Sequence, residues 1–404
     1  MKLAKLSLAA IVVAGLASNS FAADTLADAF KNGKVNGELK AYYFANEDDK
    51  NDKDSIFTTG AMLSYKTAPL YGFTLGLTAQ GAASPFADNG AKDDYRGSMY
   101  GSGAVLSESY IAYSLGKTTA MVGRMYLDTP LVASSGSRVI KESFEGAAII
   151  NTDLPNTTLI AGYVQKFQSR TDKKGNTGKF TKNFTTQSGP NVDIDDGAYT
   201  LAAINKSITG LTLTAAYEYA DAFLAGAVDG GVHIGYAEAL YKGKAGEVGY
   251  TLGLQDYYNK IDDSKTIDNS INAYGIKAGL SYKGINGTVA FSQVSDDNVA
   301  AGAVLSGLGN GADLLYTDSS ISSPGYDRDT KAYLVDVNYD INAAANVGAS
   351  YVETDNSKTV SYSSLYGLYK FDGALKGLSL KAQYEDIGKD ADGSNLWFKA
   401  NYKF

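Results

Sequence analysis

The sequence contains no cysteine, one histidine, one tryptophan and six prolines in 404 residues. Without cysteine it can form no disulfide, no reactive thiolate and no zinc site with thiolate ligands. The single histidine, His233, is followed two positions later by Gly235, so it lacks the serine that a barrel phospholipase would place beside it. Phosphate-binding loops and dinucleotide-binding fingerprints are also missing. We therefore predict that the protein is not an enzyme and needs neither a cofactor nor a metal.

Long apolar runs are missing apart from a short one at the start of the chain. Lys2 and Lys5 precede an apolar core at positions 6–16, and Ser20 and Ala22 are small residues that fit a cleavage site. The apolar core is well short of the roughly 20 residues that a membrane-spanning helix needs. We predict that residues 1–22 are a signal peptide and that residues 23–404 form the exported protein.

Positive charge is also scarce. The chain has 36 Lys and Arg against 44 Asp and Glu, a net charge of −8, and only five of the basic residues are arginines. An acidic chain binds nucleic acid poorly, so nucleic acid is not an expected partner.

The sequence does contain an alternation of apolar and polar residues with a period of two, which indicates β-strands with one apolar face. The last segment, LWFKANYKF, places Leu396, Phe398 and Phe404 on one face and Lys399 on the other. Most segments have the length that a tilted strand needs to cross a bilayer. The eighteen segments are 35–45, 56–66, 73–83, 106–115, 119–127, 144–151, 157–167, 197–207, 211–220, 233–243, 247–257, 272–283, 286–294, 331–340, 346–354, 362–371, 377–386 and 395–404.

The connections between these segments alternate between short ones, such as 116–118, and long ones, such as 168–196 and 295–330. All six prolines lie in connections, as expected because proline cannot donate to a sheet. Tyrosine and phenylalanine recur at the ends of the apolar faces, which is typical of aromatic girdles at a membrane surface. We predict an all-β fold, an 18-stranded antiparallel transmembrane β-barrel with short periplasmic turns and long extracellular loops, in the bacterial outer membrane.

This location implies several partners. Phospholipid and lipopolysaccharide would cover the apolar outer face, and acidic outer loops could reach lipopolysaccharide phosphates through divalent ions. Phe404 and Tyr402 would form the terminal signal that the barrel assembly machinery reads.

Two soluble folds are alternatives. A β-sandwich of eighteen strands would need two or three domains joined by linkers, and no linker is evident. A β-helix would show a fixed repeat of about 20–30 residues, whereas the spacing here is irregular.

Three stretches resemble the OprD-type porins. GRMYLDTPLVASSGSRVIKESFEGAAI at 123–149 is similar to the segment that enters their inward-folded third loop, and LKAYYFANED at 39–48 resembles their first strand. AFSQVSDDN at 290–298 and YDRDTKAYLVDVNYD at 326–340 resemble a late loop and its return strand. The resemblance implies an eighteen-stranded channel for small polar solutes and ions, a homotrimer, and an inward-folded constriction loop at 128–143.

Members of this family that select carboxylates carry a ladder of arginines, which five arginines cannot reproduce. We therefore expect a broad pore with a weak cation preference. The charged residues whose parity faces the lumen are candidates for lining it. These pore-lining candidates are Glu38, Lys40, Glu108, Glu218, Glu238, Lys277 and Lys381. Opposed charges at the constriction would create a transverse field, and the candidates there are Arg124, Asp128, Arg138, Lys141 and Glu142.

These features predict a porin that forms a water-filled channel for passive diffusion of small polar solutes and ions. The alternative is a surface-displayed barrel that acts mainly as an adhesin or as an envelope-structural protein. A barrel sealed by its own side chains is expected near eight strands, whereas eighteen leave an aqueous lumen.

Overall fold

The computed structural model describes residues 23–48, 53–172, 175–186, 191–224, 228–262, 270–297, 304–312 and 315–404, with the backbone alone for 222–224 and 228–229. The predicted signal peptide, residues 1–22, lies outside the described residues. No helix in the described ranges is long and apolar enough to cross a membrane.

Eighteen long antiparallel strands follow one another along the chain and close into a barrel, which confirms the predicted fold class. The strands are β1 Lys34–Glu47, β2 Lys53–Lys66, β3 Phe73–Ala83, β4 Ser102–Leu115, β5 Thr118–Met125, β6 Ser143–Asn151, β7 Thr157–Gln168, β8 Val192–Asn205, β9 Leu211–Leu224, β10 Val228–Ala245, β11 Val248–Ile261, β12 Ser270–Tyr282, β13 Ile285–Val294, β14 Lys331–Asp340, β15 Ala345–Asp355, β16 Thr359–Lys370, β17 Leu378–Lys389 and β18 Gly393–Lys403.

Each strand pairs with the next one along the chain, and β18 pairs with β1 from Glu38↔Lys403 to Glu47↔Ser394. This last pairing closes the sheet, so the barrel has no free edge.

The remaining elements are short. They are the helices α1 Leu26–Lys31 and α2 Asn89–Asp94, a 3-10 turn at Gly373–Leu375, and two-residue strands at Phe180–Thr181 and Asn183–Phe184. The two-residue strands pair with the ends of β7 and β8 and extend the sheet there.

Side chains alternate between the two faces of the wall. Leu39, Leu380 and Phe398 are 49 %, 44 % and 49 % exposed on the outer face, whereas Lys40 and Trp397 are 7 % and 3 % exposed on the inner face. An outer face of exposed apolar side chains suits a hydrocarbon solvent, so this face is the one that lipid covers.

The C-terminal residue is held by the first strand. The Phe404 N–H donates to the Gly37 carbonyl at 3.1 Å, and the Gly37 N–H donates back at 2.9 Å. The Phe404 ring lies over Gly37, where a Cβ would stand only 2.1 Å from its Cζ. Glycine at position 37 therefore leaves the space that the terminal ring occupies. The role of Phe404 and Tyr402 in assembly stays a prediction.

Neighbouring residues of β17 test the assignment of the two faces. Leu380→Arg places a charge in the apolar band and should destabilise the folded barrel by roughly 2–4 kcal/mol if it lies near the midplane. Lys381→Leu, on the inner face, should fold normally and change only conduction. The measurement is the free energy of unfolding in lipid vesicles, and equal losses in both variants would contradict the assigned faces.

Candidate functional site

The connection between β5 and β6, residues 126–142, folds into the barrel; we name it the first inward loop. The wall at β1 and β18 holds its tip, because Lys40 Nζ donates to the Val139 carbonyl at 3.2 Å and Lys399 Nζ donates to the Ser137 carbonyl at 2.9 Å. The side chain of Gln80 accepts from the Lys141 N–H at 2.9 Å and donates to its carbonyl at 2.6 Å. The loop that starts at β5 thus extends past β4, β3 and β2 on the inside of the barrel and is anchored by lysines on β1 and β18.

A second inward loop, which the sequence patterns do not identify, belongs to the connection between β13 and β14; the described residues of this connection are 295–297, 304–312 and 315–330. It lies on the first loop, because the Leu308 N–H donates to the Leu131 carbonyl at 2.7 Å and the Leu308 carbonyl accepts from Ala133 at 3.0 Å. Asn259 of β11 bonds both the N–H and the carbonyl of Leu305. The sequence signal is the apolar stretch AVLSGLG at 303–309, which is unusual in a long outer loop.

The two loops share one hydrophobic core inside the barrel. Leu131 and Val132 of the first loop and Leu305 and Leu308 of the second pack in one cluster with wall residues such as Ile234. This core occupies the side of the lumen next to the middle strands. At the level of the loops, the lysines Lys40, Lys381 and Lys399 lie on β1, β17 and β18, whereas Glu238 and Lys277, on β10 and β12, meet Tyr316 of the second loop.

Glu142 joins three segments at the back of the loops. Its carboxylate is 0 % exposed and accepts from the Ser135 N–H at 3.0 Å, the Asn310 N–H at 2.9 Å and the Asn310 side chain. Arg170, which follows β7, pairs with it at 3.4 Å. Glu142 therefore connects the two inward loops and the start of a third connection.

The wall beside the tip of the first loop is basic. We name Lys40, Arg138, Arg170, Lys381 and Lys399 the cationic wall. Lys40 pairs with Glu38 at 3.6 Å and Arg170 pairs with Glu142, whereas Arg138, Lys381 and Lys399 have no ion pair with any described carboxylate. The electrostatic neighbours of Lys399 are the other four members, all cations.

Comparison with known proteins decides the family. The family model of the outer membrane porins of the OprD family matches residues 28–349. This chain belongs to the OprD family of outer membrane porins. No curated protein sequence is significantly similar to it.

Solved structures of similar fold include three from two bacteria. Pseudomonas aeruginosa OccK8 (OprE) superposes with a TM-score of 0.77 at 14% identity and covers 93% of this chain and 98% of its own. Acinetobacter baumannii OccAB2 superposes with a TM-score of 0.78 at 16% identity, and the match covers 93% of this chain and 99% of OccAB2. Pseudomonas aeruginosa OccD3 (OpdP) superposes with a TM-score of 0.72 at 15% identity, and the match covers 93% of this chain and 91% of OccD3. At such identities the likeness shows the fold alone.

The porin is thus a channel in the bacterial outer membrane through which small solutes diffuse. The family indicates a channel rather than an enzyme. In the part of the chain that is described, no group of three or more histidine, aspartate and glutamate side chains is arranged to hold a metal ion.

The placement of Arg124 differs from the sequence prediction. Arg124 has the parity of Val122, which is 59 % exposed on the outer face, and it pairs with Glu145 at 3.0 Å. Lys166 pairs with the same carboxylate at 3.0 Å. This cluster stands on the outer side of the wall, so Arg124 does not belong to the constriction. The family pattern locates the segment but does not specify the parity of this residue.

Glu142 and Glu218 also need correction. Glu218 points into the barrel as its parity predicts, and Glu142 lies in the loop predicted to form the constriction, but they are 2 % and 0 % exposed because the inward loops cover them. Neither carboxylate faces lumen water. Strand alternation distinguishes lipid from lumen but carries no information on which lumen positions a loop covers.

Predicted pore-lining residues such as Glu108, Glu238 and Lys277 contact polar and aromatic residues inside the barrel. Glu108 accepts from Thr78 Oγ1 at 2.5 Å and from the Tyr126 N–H at 3.3 Å. Glu238 accepts from the Tyr316 hydroxyl at 2.7 Å, and Lys277 lies 3.7 Å from the same ring.

Lys141 and Asp128 are close enough to interact electrostatically. The Lys141 ammonium stands 4.0 Å from the Tyr126 ring centroid. Burial lowers the pKa of Lys141, and the nearby carboxylates of Glu108 and Asp128 oppose this shift only in part.

The junction at Glu142 gives a direct test of how the loops are held. Glu142→Ala removes the acceptor of three donors and the partner of Arg170, which should weaken loop packing by about 3–5 kcal/mol. We expect larger and noisier single-channel conductance, with Glu142→Gln between alanine and wild type because it keeps one acceptor. Conductance identical to wild type in Glu142→Ala would show that the loops do not depend on this residue.

Proposed function

We propose that this porin passes small anionic solutes more readily than cations, with the constriction at the tip of the first inward loop. The observation that carries the proposal is the cationic wall. Three of its members, Arg138, Lys381 and Lys399, form no ion pair with a described carboxylate, and Arg138 and Lys381 are electrostatic neighbours of Lys399. A pore selects ions by the field at its narrowest ring, and this ring is positive.

Composition alone favours a weak cation preference, because arginines are few and the net charge is −8. That expectation is based on the number of charged residues and does not consider where they lie in the pore. Two members of the wall without an ion pair are lysines, and a lysine ammonium attracts an anion as a point charge. Acidic residues of the outer loops lie farther away and are screened within about 10 Å at 0.1 M salt.

The remaining partners follow from the fold class. We infer that phospholipid and lipopolysaccharide cover the outer face and that the barrel assembly machinery recognises Phe404 and Tyr402. We also infer a homotrimer, which the family resemblance supports. Loss of surface display on deletion of Phe404, with normal synthesis and export, is the expected sign of the terminal signal.

Ion preference is measured as the reversal potential of the reconstituted porin under a KCl gradient at low salt. We expect anion preference in the wild type and a shift toward cations in Lys399→Glu and Arg138→Glu, because each changes the local charge by two. Lys117→Glu, in the exposed turn between β4 and β5, is the matched control and should have no effect. A cation-preferring wild type would contradict the proposal and favour the expectation from composition.

The pH dependence should follow from Lys141. Because its pKa is lowered, Lys141 loses its charge at a lower pH than an ordinary lysine, whose pKa is about 10.4. Anion preference should therefore decline as the pH rises toward that value. Lys141→Met should begin with a smaller preference at neutral pH and lose less of it. An identical decline in the variant would exclude Lys141 as the source.

A further inference from the structure

Trp397 is the only tryptophan of the chain and lies on the inner face of β18. Two members of the cationic wall contact its ring. The Arg138 guanidinium is 4.2 Å from the ring centroid, and the Lys399 ammonium is 3.3 Å from it. Both distances are within the range of cation–π attraction, for which tryptophan is the best partner.

The side-chain hydrogen bonds of these two cations to described residues go to neutral groups. Arg138 donates to Ser98 Oγ at 3.2 Å and to Ser137 Oγ at 3.3 Å. Lys399 donates to the Ser137 carbonyl at 2.9 Å. A carboxylate in the place of the ring would hold the cations equally close but would cancel charge. The aromatic ring holds them through its quadrupole and cancels none.

The ring itself is fixed in position. Trp397 pairs in register with Phe44 of β1 and Gln383 of β17. Phe44 meets it edge to face at 5.1 Å and meets Tyr95 in the same way at 5.5 Å. With 3 % of its surface exposed, Trp397 has little freedom to turn away from the cations.

We propose that Trp397 is the positioning residue that sets the anion preference of this porin, by holding Arg138 and Lys399 in the lumen without neutralising them. The inference rests on the proposed anion preference and adds the residue that maintains it. Trp397 acts through the two cations and need not touch the solute. Without the ring, Arg138 is free to turn toward the carboxylate of Glu142, with which it already interacts electrostatically.

The first measurement compares reversal potentials of Trp397→Leu, Trp397→Phe and wild type. Trp397→Leu should lower the anion-to-cation permeability ratio by roughly twofold or more, the scale of one cation–π contact. Trp397→Phe keeps an aromatic face and should retain most of the ratio. Tyr257→Leu, which removes a fully buried ring that packs on Tyr236 between β10 and β11, far along the sheet from β18, should change conductance but not the ratio.

The second measurement uses the wild-type protein, so it does not depend on a variant folding. Since Trp397 is the sole tryptophan, its fluorescence reports the constriction directly. Relative to their effect on a free tryptophan derivative, iodide should quench Trp397 more strongly than caesium, because the surrounding cations attract iodide and repel caesium; the 3 % exposure of the ring keeps both effects small. The order should reverse in the double variant Arg138→Glu, Lys399→Glu.

The outcomes separate this inference from the proposed function. An anion-preferring wild type with an unchanged ratio in Trp397→Leu overturns the role of Trp397 and leaves the proposed function intact. A wild type without anion preference overturns the proposed function. Stronger quenching by caesium than by iodide in the wild type would show that the field at Trp397 is not positive and would overturn both.

Discussion

The closed ladder of backbone hydrogen bonds is the constraint on which the rest of this porin depends. Within lipid no water is available to backbone N–H and C=O groups, so each must find a partner in the protein. The pairing of β18 with β1 completes the ladder and removes the last two edges. Once the ladder is closed, the outer face must be apolar, and the strand number fixes an interior too wide for wall side chains to fill.

The inward loops fill part of this wide interior. Their backbone groups bond to one another and to polar wall residues such as Gln80 and Asn259, because a buried loop must satisfy the same donors and acceptors as a strand. Apolar side chains then form a core inside the barrel, separate from the lipid-covered surface. Glu142 satisfies donors from both loops, so the shape of the passage depends on polar contacts rather than on apolar packing alone.

The sequence predicts the regular strands of the wall well and the packing of the inward loops poorly. Leu380 and Lys381 are assigned to opposite faces from alternation alone, because a strand between lipid and water must obey a period of two. The second inward loop has no period to detect, and only its apolar residues distinguish it from an outer loop. Glu218 has the correct parity for the lumen, yet the loops that bury it are distant in sequence. Sequence reasoning therefore misplaces Glu142 and Glu218 because loop packing decides their environment, whereas Arg124 is misplaced because the family pattern does not specify its parity on β5.

The ion preference, too, cannot be predicted from overall composition, because it depends on where the charges lie. The acidic composition describes the whole chain, and much of that charge lies in connections outside the barrel wall. The field felt by a solute depends instead on a few side chains within a Debye length of the narrowest point. There the lysines of β1, β17 and β18 meet the arginines of the loops, and carboxylate partners are fewer than cations. Like charges held this close repel one another, so the arrangement needs neutral groups that bind cations. Backbone carbonyls at the loop tip and the face of Trp397 supply those contacts, and they leave the positive field available to a passing anion.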